Sequence, residues 1–296
     1  MLKQIPVSFH YNQVALPDSF SKSPGKPGLV VADWQSSRMP IRIFAPNPVT
    51  REQMALAHDR AHVDAILDLK KRDGFGNCRA DVAASFPWTS GSFLSASREA
   101  LANGQVAVSP TSGFHHASYA SCHGFCTFNG LMVATAVLLA DGLVKKVGIL
   151  DCDEHYGDGT DDIIDRLGLQ SSVRHVTAGS GYVSEANTFL SALPKMVEAF
   201  ADCDLLMYQA GADPHIKDPL GGYLTTEQLL ERDRIVFRTA ARLGIPLVWN
   251  LAGGYQEPIS KVIEIHANTM RACVEAYFDP SEDADSEASQ PCAAAA

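Results

Sequence analysis

Apolar residues recur along the chain with helical spacing in some stretches and form short unbroken runs in others. The helical spacing predicts helices at Thr50 to Arg72, Ser90 to Ala102, Leu131 to Leu143, Ser184 to Asp202, Thr225 to Leu243 and Ile259 to Tyr277. A possible cap residue, Thr50, precedes the first of them. The helix at Leu131 to Leu143 is apolar on nearly every side, so we expect it to be buried.

Three short apolar runs each end abruptly in polar or glycine-rich sequence. They are Val147 to Leu150, Leu205 to Tyr208 and Pro246 to Asn250. Strands alternating with helices are typical of a parallel α/β sheet, in which ligands bind beyond the carboxyl ends of the strands. We therefore expect the functional residues to follow these three runs.

The composition is that of a soluble globular protein, with 296 residues, 46% hydrophobic and 20% charged. A net charge of −10 argues against nucleic acid as a partner, although acidic groups could attract a cationic substrate. We expect one catalytic domain over residues 1 to 278, followed by a disordered acidic and alanine-rich tail at 279 to 296.

No membrane partner is expected, because the most apolar run, Gly130 to Ala140, is too short to span a bilayer. The N-terminus lacks the order of a secretion signal, so we predict a cytoplasmic protein, and a homo-oligomer stays open. The seven cysteines form no CxxC pair and are expected to be free thiols. Cys122 and Cys126 could begin a metal site, but packing in the core is the favoured interpretation.

Acidic residues that could bind a metal follow two of the short apolar runs, Val147 to Leu150 and Leu205 to Tyr208. Asp153 and His155 are separated by one residue, so on an extended segment their side chains leave the same face. Asp213 would add a third ligand from a neighbouring strand end and leave a fourth position open, as a catalytic zinc site requires. Fe(II) would suit the same ligands, and caps or solvated loops are the alternative role for each acid taken alone.

A pair of adjacent histidines, His115 and His116, is the second candidate for chemistry. A single histidine is more often structural than catalytic, so the pair needs partners. Asp151 and Asp158 flank the metal motif, and either carboxylate could fix the tautomer of an imidazole and raise its basicity. Together these residues would form a proton-handling unit.

Five sequence blocks now point to a family. They are Gly113-Phe114-His115-His116-Ala117, Gly124-Phe125-Cys126-Thr127-Phe128-Asn129, the run from Asp151 to Thr160, Gly211-Ala212-Asp213 and Gly253-Gly254-Tyr255. In this order they resemble the zinc-dependent histone deacetylases and their bacterial acetylpolyamine-deacetylase relatives, over about residues 5 to 278. The resemblance implies a single-domain arginase/deacetylase-like α/β fold with a central parallel sheet of about eight strands flanked by helices.

The resemblance also implies a role for each matching residue. Asp153, His155 and Asp213 resemble the zinc ligands, His115 and His116 the tandem histidines backed by Asp151 and Asp158, Tyr255 the transition-state tyrosine, Asp151 and Thr177 a potassium site, and Gly124 and Phe125 one wall of the substrate tunnel. These roles predict an amidohydrolase in which the metal activates water, His116 is the main acid and base, and Tyr255 stabilises the oxyanion.

The chain departs from the family pattern at several positions. Tyr156 replaces a second histidine that is not a metal ligand in the family, and Ala252 replaces the first of three common glycines. No histidine follows Thr177, so the opposite tunnel wall is not defined, and Tyr182 is one candidate for it. None of these changes removes a predicted zinc ligand.

The substrate is the least defined feature. Leu220 occupies a position where a polyamine-selective relative carries a glutamate, which favours acyl-lysine or longer acyl amides over acetylpolyamine or a small metabolite amide. A binuclear manganese ureohydrolase is a remote alternative, because Pro214 and His215 stand where a second metal-binding acid is needed. A non-catalytic binding protein on the same fold would be expected to lack at least one of the chemical residues.

Overall fold

All strands of the central sheet run in the same direction. The computed structural model describes residues 2–178 and 185–278. Within them the strands are β1 Ile5–Ser8, β2 Ile41–Phe44, β3 Val106–Ser109, β4 Val147–Asp151, β5 Val173–Thr177, β6 Leu205–Gln209 and β7 Leu247–Asn250. They form one seven-stranded sheet in the order β2-β1-β3-β7-β6-β4-β5, with every pair parallel. The expected parallel α/β sheet is confirmed, with seven strands in the described part against about eight expected.

Helices connect the strands and cover both faces of the sheet. In chain order they are α1 Lys26–Ser36, α2 Arg51–Met54, α3 Arg60–Leu67, α4 Ala80–Asn103, α5 Gly130–Ala140, α6 Asp158–Leu167, α7 Ala186–Glu198, α8 Thr226–Leu243 and α9 Ser260–Tyr277. Burial of α5 is as expected, since eight of its residues are buried. Residues 279–296, for which a disordered tail is predicted, lie outside the described residues.

The early helical segment differs from its prediction. One helix was expected from Thr50 to Arg72, but the chain forms α2 and α3 separately. Thr50 does cap α2, where its hydroxyl accepts a hydrogen bond from the Gln53 amide. The Asp59 carboxylate then accepts from the His62 amide and starts α3 as a new helix. A second cap inside the apolar pattern is therefore what divides the segment.

The hydrophobic core lies in two layers, one on each face of the sheet. Neighbouring residues of a strand enter opposite layers: Leu150 packs with α7 and α8, whereas Ile149 packs with α4 and α5. Trp249 and Val248 divide in the same way on β7. This alternation follows from the period of two in a strand, and burial of both faces is typical of parallel sheets.

The carboxyl ends of the four strands β3, β7, β6 and β4 lie next to one another at one edge of the sheet. Segments that contain predicted chemical residues leave all four of these ends. Over residues 2–178 and 185–278, no helix has the length and apolar character needed to cross a membrane.

Candidate metal centre and active site

Asp153, His155 and Asp213 come together as the sequence predicts. Asp153 and His155 follow β4 and Asp213 follows β6, and these strands are direct neighbours. His155 Nδ1 lies 3.3 Å from Asp153 Oδ1 and 3.4 Å from Asp213 Oδ2. One ligand atom from each residue lies within 4.8 Å of the others. Both carboxylates are buried, while His155 is partly exposed.

The charges of this group fit a divalent cation. Burial, and next the neighbouring Asp153 carboxylate, raise the pKa of Asp213. Apart from the contact with His155, Asp213 Oδ2 has no hydrogen-bond partner in the described part of the chain. Two buried carboxylates side by side are unfavourable unless a positive charge compensates them. Two oxygen donors and one imidazole nitrogen with an open fourth position suit Zn²⁺, and also Fe²⁺.

The two adjacent histidines each have a carboxylate partner. His115 Nδ1 lies 2.6 Å from Asp151 Oδ2, and His116 Nδ1 lies 2.6 Å from Asp158 Oδ1. Asp158 is the first residue of α6, so the start of this helix fixes its position. The amide of Thr160 donates to the carbonyl of His115 at 3.0 Å and holds the histidine loop against the same helix. Both pairings expected from the sequence are thus present.

The environments of the two imidazoles separate their pKa values. Burial disfavours the charged form of His115, but the carboxylates of Asp151 and Asp153 outweigh it and raise the pKa to about 9. Burial and the neighbouring His115 lower the pKa of His116 despite its bond to Asp158. The lowered pKa of His116 favours its neutral form, which can accept a proton.

The turn before Tyr255 lies against Asp153 and Asp213, which together with His155 we call the metal group. The amide of Gly253 donates to Asp153 Oδ2 at 2.8 Å. A Cβ atom at Gly253 would lie 2.2 Å from Asp213 Oδ2, so only glycine allows the backbone this close. Tyr255 is held in turn by its amide, which donates to Asp218 Oδ2 at 2.8 Å.

Two buried cations that sequence reasoning missed support the site. Lys26 of α1 donates to the carbonyls of Ala252 and Gly253 at 2.7 and 3.1 Å. Arg232 of α8 donates to the carbonyls of Cys152 and Gly211. Cys152 directly precedes Asp153, and Gly211 lies two positions before Asp213. Neither residue belongs to a sequence block with a chemical pattern, so nothing local could have marked them.

Gln209 is a further supporting residue, and its position directly after the β6 apolar run was a usable signal. Its side-chain amide donates to Asp151 Oδ1 at 2.9 Å, and its side-chain oxygen accepts from the Phe114 amide at 3.2 Å. The residue therefore joins the end of β6 to the histidine loop.

Gly124 and Phe125, for which the sequence predicts a place in a tunnel wall, line the same pocket as Asp153 and His155. Both have positive φ, and a Cβ atom at Gly124 would lie 2.4 Å from His116 Cδ2. The Phe125 ring lies 5.8 Å from the Tyr255 ring and stacks on Phe75 at 6.2 Å. Phe75, absent from the sequence-based set, thus extends this wall; Tyr182 lies outside the described residues.

One pocket contains most of the predicted residues. It is lined by His115, His116, Gly124, Phe125, Asp153, His155 and Tyr255, together with Ser23, Phe75, Ser112, Gly113, Cys126 and Gly253. Leu220 is not among these lining residues and is 37% exposed, while its neighbour Pro219 lines an adjoining groove with Tyr255. Thr177 is the register partner of Asp151, and its hydroxyl accepts from the Gly157 amide at 3.3 Å.

Comparison with known proteins finds relatives over most of the chain. A model of the histone deacetylase domain matches residues 26–177 and 170–270. An uncharacterized protein of Picosynechococcus sp. is 27% identical over 266 residues, which cover 80% of this chain and 87% of that protein. A probable deacetylase of Methanothermobacter thermautotrophicus is 23% identical over 266 residues, covering 78% of this chain and 79% of that protein.

The comparison with solved structures identifies the fold. The crystal structure of the HDA15 HD domain superposes with a TM-score of 0.75 at 18% identity, covering 94% of this chain and 92% of that chain. The fold is thus the arginase/deacetylase-like α/β fold, and the class is that of deacetylase-type amidohydrolases. The chain belongs to the histone deacetylase domain family.

Proposed function

We propose that this chain is a zinc-dependent deacylase that hydrolyses the amide bond of an acyl-lysine or related acylated amine, with residues 1–278 as its catalytic domain. The observation that carries the proposal is a pocket lined by two of the metal-group residues, Asp153 and His155, together with both histidines and Tyr255. Amide hydrolysis needs an electrophilic centre, a proton acceptor near water and a donor to the oxyanion. These three elements meet in that pocket.

Asp153, His155 and Asp213 would hold the ion. When bound there, Zn²⁺ would polarise the amide carbonyl and lower the pKa of water. The neutral His116 takes the proton from the attacking water as its oxygen bonds to the carbonyl carbon. His116 then returns this proton to the amine nitrogen as the carbon–nitrogen bond breaks. Asp158, at 2.6 Å, keeps the Nδ1 proton in place and so directs the Nε2 lone pair to the reaction.

Tyr255 would donate its hydroxyl proton as a hydrogen bond to the developing oxyanion. Burial raises the pKa of Tyr255 well above its usual value, so the hydroxyl stays protonated and can donate. Asp218 fixes its backbone amide, and Lys26 fixes the turn before it. The protein thus holds this donor before substrate arrives.

The surroundings of the pocket favour an uncharged or anionic amine component over a polyamine. Leu220 provides no carboxylate that could pair with an internal amine. The groove beside Tyr255 is lined by Lys22 and Lys217 and by one acid, Glu257. A polycation would meet two like charges there, which is unfavourable. An acetylpolyamine or small-metabolite amide is the alternative substrate.

Binuclear ureohydrolase chemistry is not supported by the site. His215, which follows the third metal-group residue by two positions, uses its ring to contact the Thr226 hydroxyl and the Lys217 amide. The other candidate metal group of the described chain shares no ligand with Asp153, His155 and Asp213. Two ions bridged by common carboxylates are therefore not expected.

A substitution at His155 tests the metal assignment. His155→Ala leaves only two carboxylates, which make a poor zinc site, so the purified variant, dialysed to remove weakly bound ions, should retain less than about one tenth of an equivalent of zinc. His10→Ala is a matched control, since His10 stacks on Trp88 away from the pocket. Metal content is measured by plasma emission spectrometry. Full zinc content in His155→Ala would refute the ligand set.

A substrate panel tests the reaction itself. Zinc-loaded protein is assayed with formyl-, acetyl-, propionyl- and long-chain acyl-lysine peptides, acetylated polyamines and aryl amides. We expect turnover of at least one acyl-lysine and weaker turnover of acetylpolyamines. A preference for acetylpolyamines would show that the substrate is a polyamine and not an acyl-lysine. If the protein turned over no substrate and bound no hydroxamate, the catalytic proposal would be refuted.

We also propose that Asp151 and Thr177 hold a potassium ion, because they are register partners at the ends of β4 and β5. The largely buried His175 lies 3.9 Å from Asp151 Oδ2, and although burial opposes it, Asp151 and Asp161 raise the pKa of His175. Exchange of K⁺ for tetramethylammonium should lower the melting temperature and the activity. If neither changes, His175 supplies the local positive charge and the potassium assignment is wrong.

A further inference from the structure

His123 has a position that the proposed hydrolysis does not use. Its Nε2 lies 3.0 Å from Asp158 Oδ2, while the other oxygen of the same carboxylate is bonded to His116 Nδ1 at 2.6 Å. The two imidazole rings lie 5.1 Å apart and are tilted by 34°. One carboxylate therefore joins two imidazoles, on the side of His116 that faces away from its proton-transfer nitrogen.

We propose that His116, His123 and Asp158 form a second binding site for a transition-metal ion. One ligand atom from each residue lies within 4.8 Å of the other two. Ligands of a tetrahedral zinc ion at bond lengths of about 2.0–2.1 Å are roughly 3.3 Å apart. Two of the contacts are already shorter than this, so binding needs only modest side-chain shifts. Two imidazoles and one carboxylate suit Zn²⁺, Ni²⁺ and Cu²⁺.

The second site differs from the first in exposure. The side chains of His123 and Asp158 are 51% and 45% exposed, whereas those of Asp153 and Asp213 are 3% and 0% exposed. Ions can reach the second site directly from solvent, and its exposed ligands are hydrated when no ion is bound. It should therefore bind more weakly than the buried site and respond to the free metal concentration.

Occupation of this site should stop hydrolysis, a consequence that rests on the proposed function of His116. A neutral imidazole that gives its Nδ1 lone pair to a metal carries its one proton on Nε2. The Nδ1 proton of free His116 therefore moves to Nε2 through solvent, and no net proton is released. His116 Nε2 then has no lone pair with which to accept a proton from water. The second ion would act as an inhibitor.

Metal titration tests the site without reference to turnover. Enzyme loaded with one equivalent of zinc is titrated with further Zn²⁺ by calorimetry, as wild type, His123→Asn and the control His10→Asn. Wild type and His10→Asn should bind a second equivalent, and His123→Asn should bind it at least about tenfold more weakly. Circular dichroism and thermal melting establish that the variants are folded. Cu²⁺ in place of the second Zn²⁺ should show nitrogen hyperfine coupling that His123→Asn reduces.

Activity at rising free zinc provides the second measurement. His123→Asn should retain most of the basal rate, since the exposed contact between His123 and Asp158 contributes little, and half-inhibition should need at least about tenfold more zinc. Equal second-site affinity, or equal inhibition, in wild type and His123→Asn would overturn the proposal, as would a single equivalent in wild type. A second equivalent that depends on His123, in a protein that hydrolyses no substrate, would uphold the site and overturn the proposed function.

Discussion

At the residue scale, the Asp153 carboxylate connects the three parts of the pocket. One oxygen accepts from the Gly253 amide at 2.8 Å, and the other lies 3.3 Å from His155 Nδ1 and 3.5 Å from His115 Nε2. Metal group, histidine pair and the turn before Tyr255 therefore share one buried anion. A displacement of this side chain would disturb all three, because buried networks of this kind act as units.

Replacement of Tyr255 isolates the oxyanion donor. Tyr255→Phe should keep its zinc and lower kcat by roughly two to three orders of magnitude, the typical effect of losing one such donor. Tyr277→Phe is the matched control, because this tyrosine lies in α9 and is absent from the pocket lining. Steady-state kinetics with the best acyl-lysine peptide and a zinc assay provide the readout. A wild-type rate in Tyr255→Phe would remove this residue from the mechanism.

Residues inside the short motifs were predictable, whereas those that reach the pocket through the fold were not. Asp153 and His155 are two positions apart, so strand geometry alone brings them to one face. Lys26 contacts a carbonyl 226 positions away along the chain. Phe75 lies in a connecting segment between α3 and α4, and no periodicity points it to the pocket. Such contacts are set by tertiary packing, on which local patterns carry no information.

At the element scale, α4 lies against the backbone of the segment that follows β2. A Cβ atom at Gly91 would lie 2.2 Å from the carbonyl oxygen of Asn47, so the helix needs glycine at this crossing. In α1, a Cβ atom at Gly28 would meet Val14 only at an ordinary 3.6 Å. Two glycines within helices therefore have opposite consequences when replaced.

Alanine substitutions measure this difference. Gly91→Ala should lower the free energy of unfolding by about 1–3 kcal/mol, because the backbone of Asn47 must move. Gly28→Ala should raise it by about 0.5–1 kcal/mol, because alanine has the higher helix propensity and its methyl group makes only ordinary van der Waals contact with Val14. Urea unfolding followed by circular dichroism provides both values. Equal effects of the two substitutions would show that the close crossing at Gly91 is not the determining factor.

Elements with long periodic patterns were the ones predicted well. Thr226–Leu243 and Ser260–Tyr277 agree with expectation to within one residue at each end. The short strands β1, β2, β3 and β5 were missed, since four or five apolar or mixed positions do not by themselves distinguish a strand from a loop. The helix α4 was expected to begin at Ser90 but begins at Ala80, because Pro87 in its sequence indicated a helix boundary. The helix tolerates it at the cost of a backbone hydrogen bond.

At the scale of the whole molecule, buried neutral histidines should make stability depend on pH. Burial, and next His62, lower the pKa of His58 to about 4. Its ring is fully buried, contacts the Ser118 carbonyl through Nδ1 and accepts from the Asn129 amide through Nε2. A histidine with a lowered pKa binds fewer protons in the folded than in the unfolded state. Its contribution is complete above about pH 6.5 and is lost as the pH falls towards 4.

Equilibrium unfolding between pH 7 and 4.5 measures this dependence. The contribution of His58 lost over that range is roughly 2–3 kcal/mol, from 1.36 kcal/mol per pKa unit. His58→Gln should be less stable than wild type at pH 7, because the buried ring is lost, but its stability should fall less steeply as the solution is acidified. An identical slope for wild type and variant would show that other groups control acid unfolding.

The sheet order is the whole-molecule property that sequence patterns alone did not provide. Apolar runs such as Val147 to Leu150 predict a strand but not its neighbour, because backbone pairing is the same for any sequence. The ordered motif blocks supplied the fold class through resemblance, and the family match confirms it. The packing of Trp34 of α1 against Trp249 of β7 within one core layer could likewise not be predicted from sequence spacing.

The place of β7 in the sheet has a meaning for biosynthesis. This last strand lies between β3 and β6, so a nascent chain that has not yet exposed residues 247–250 outside the ribosome has two separate half-sheets with open edges. Such a chain also lacks the Gly253 amide that orients Asp153. The hydrogen bond that orients Asp153 therefore forms only after translation has passed β7, and the open strand edges of a partial polypeptide favour aggregation until then.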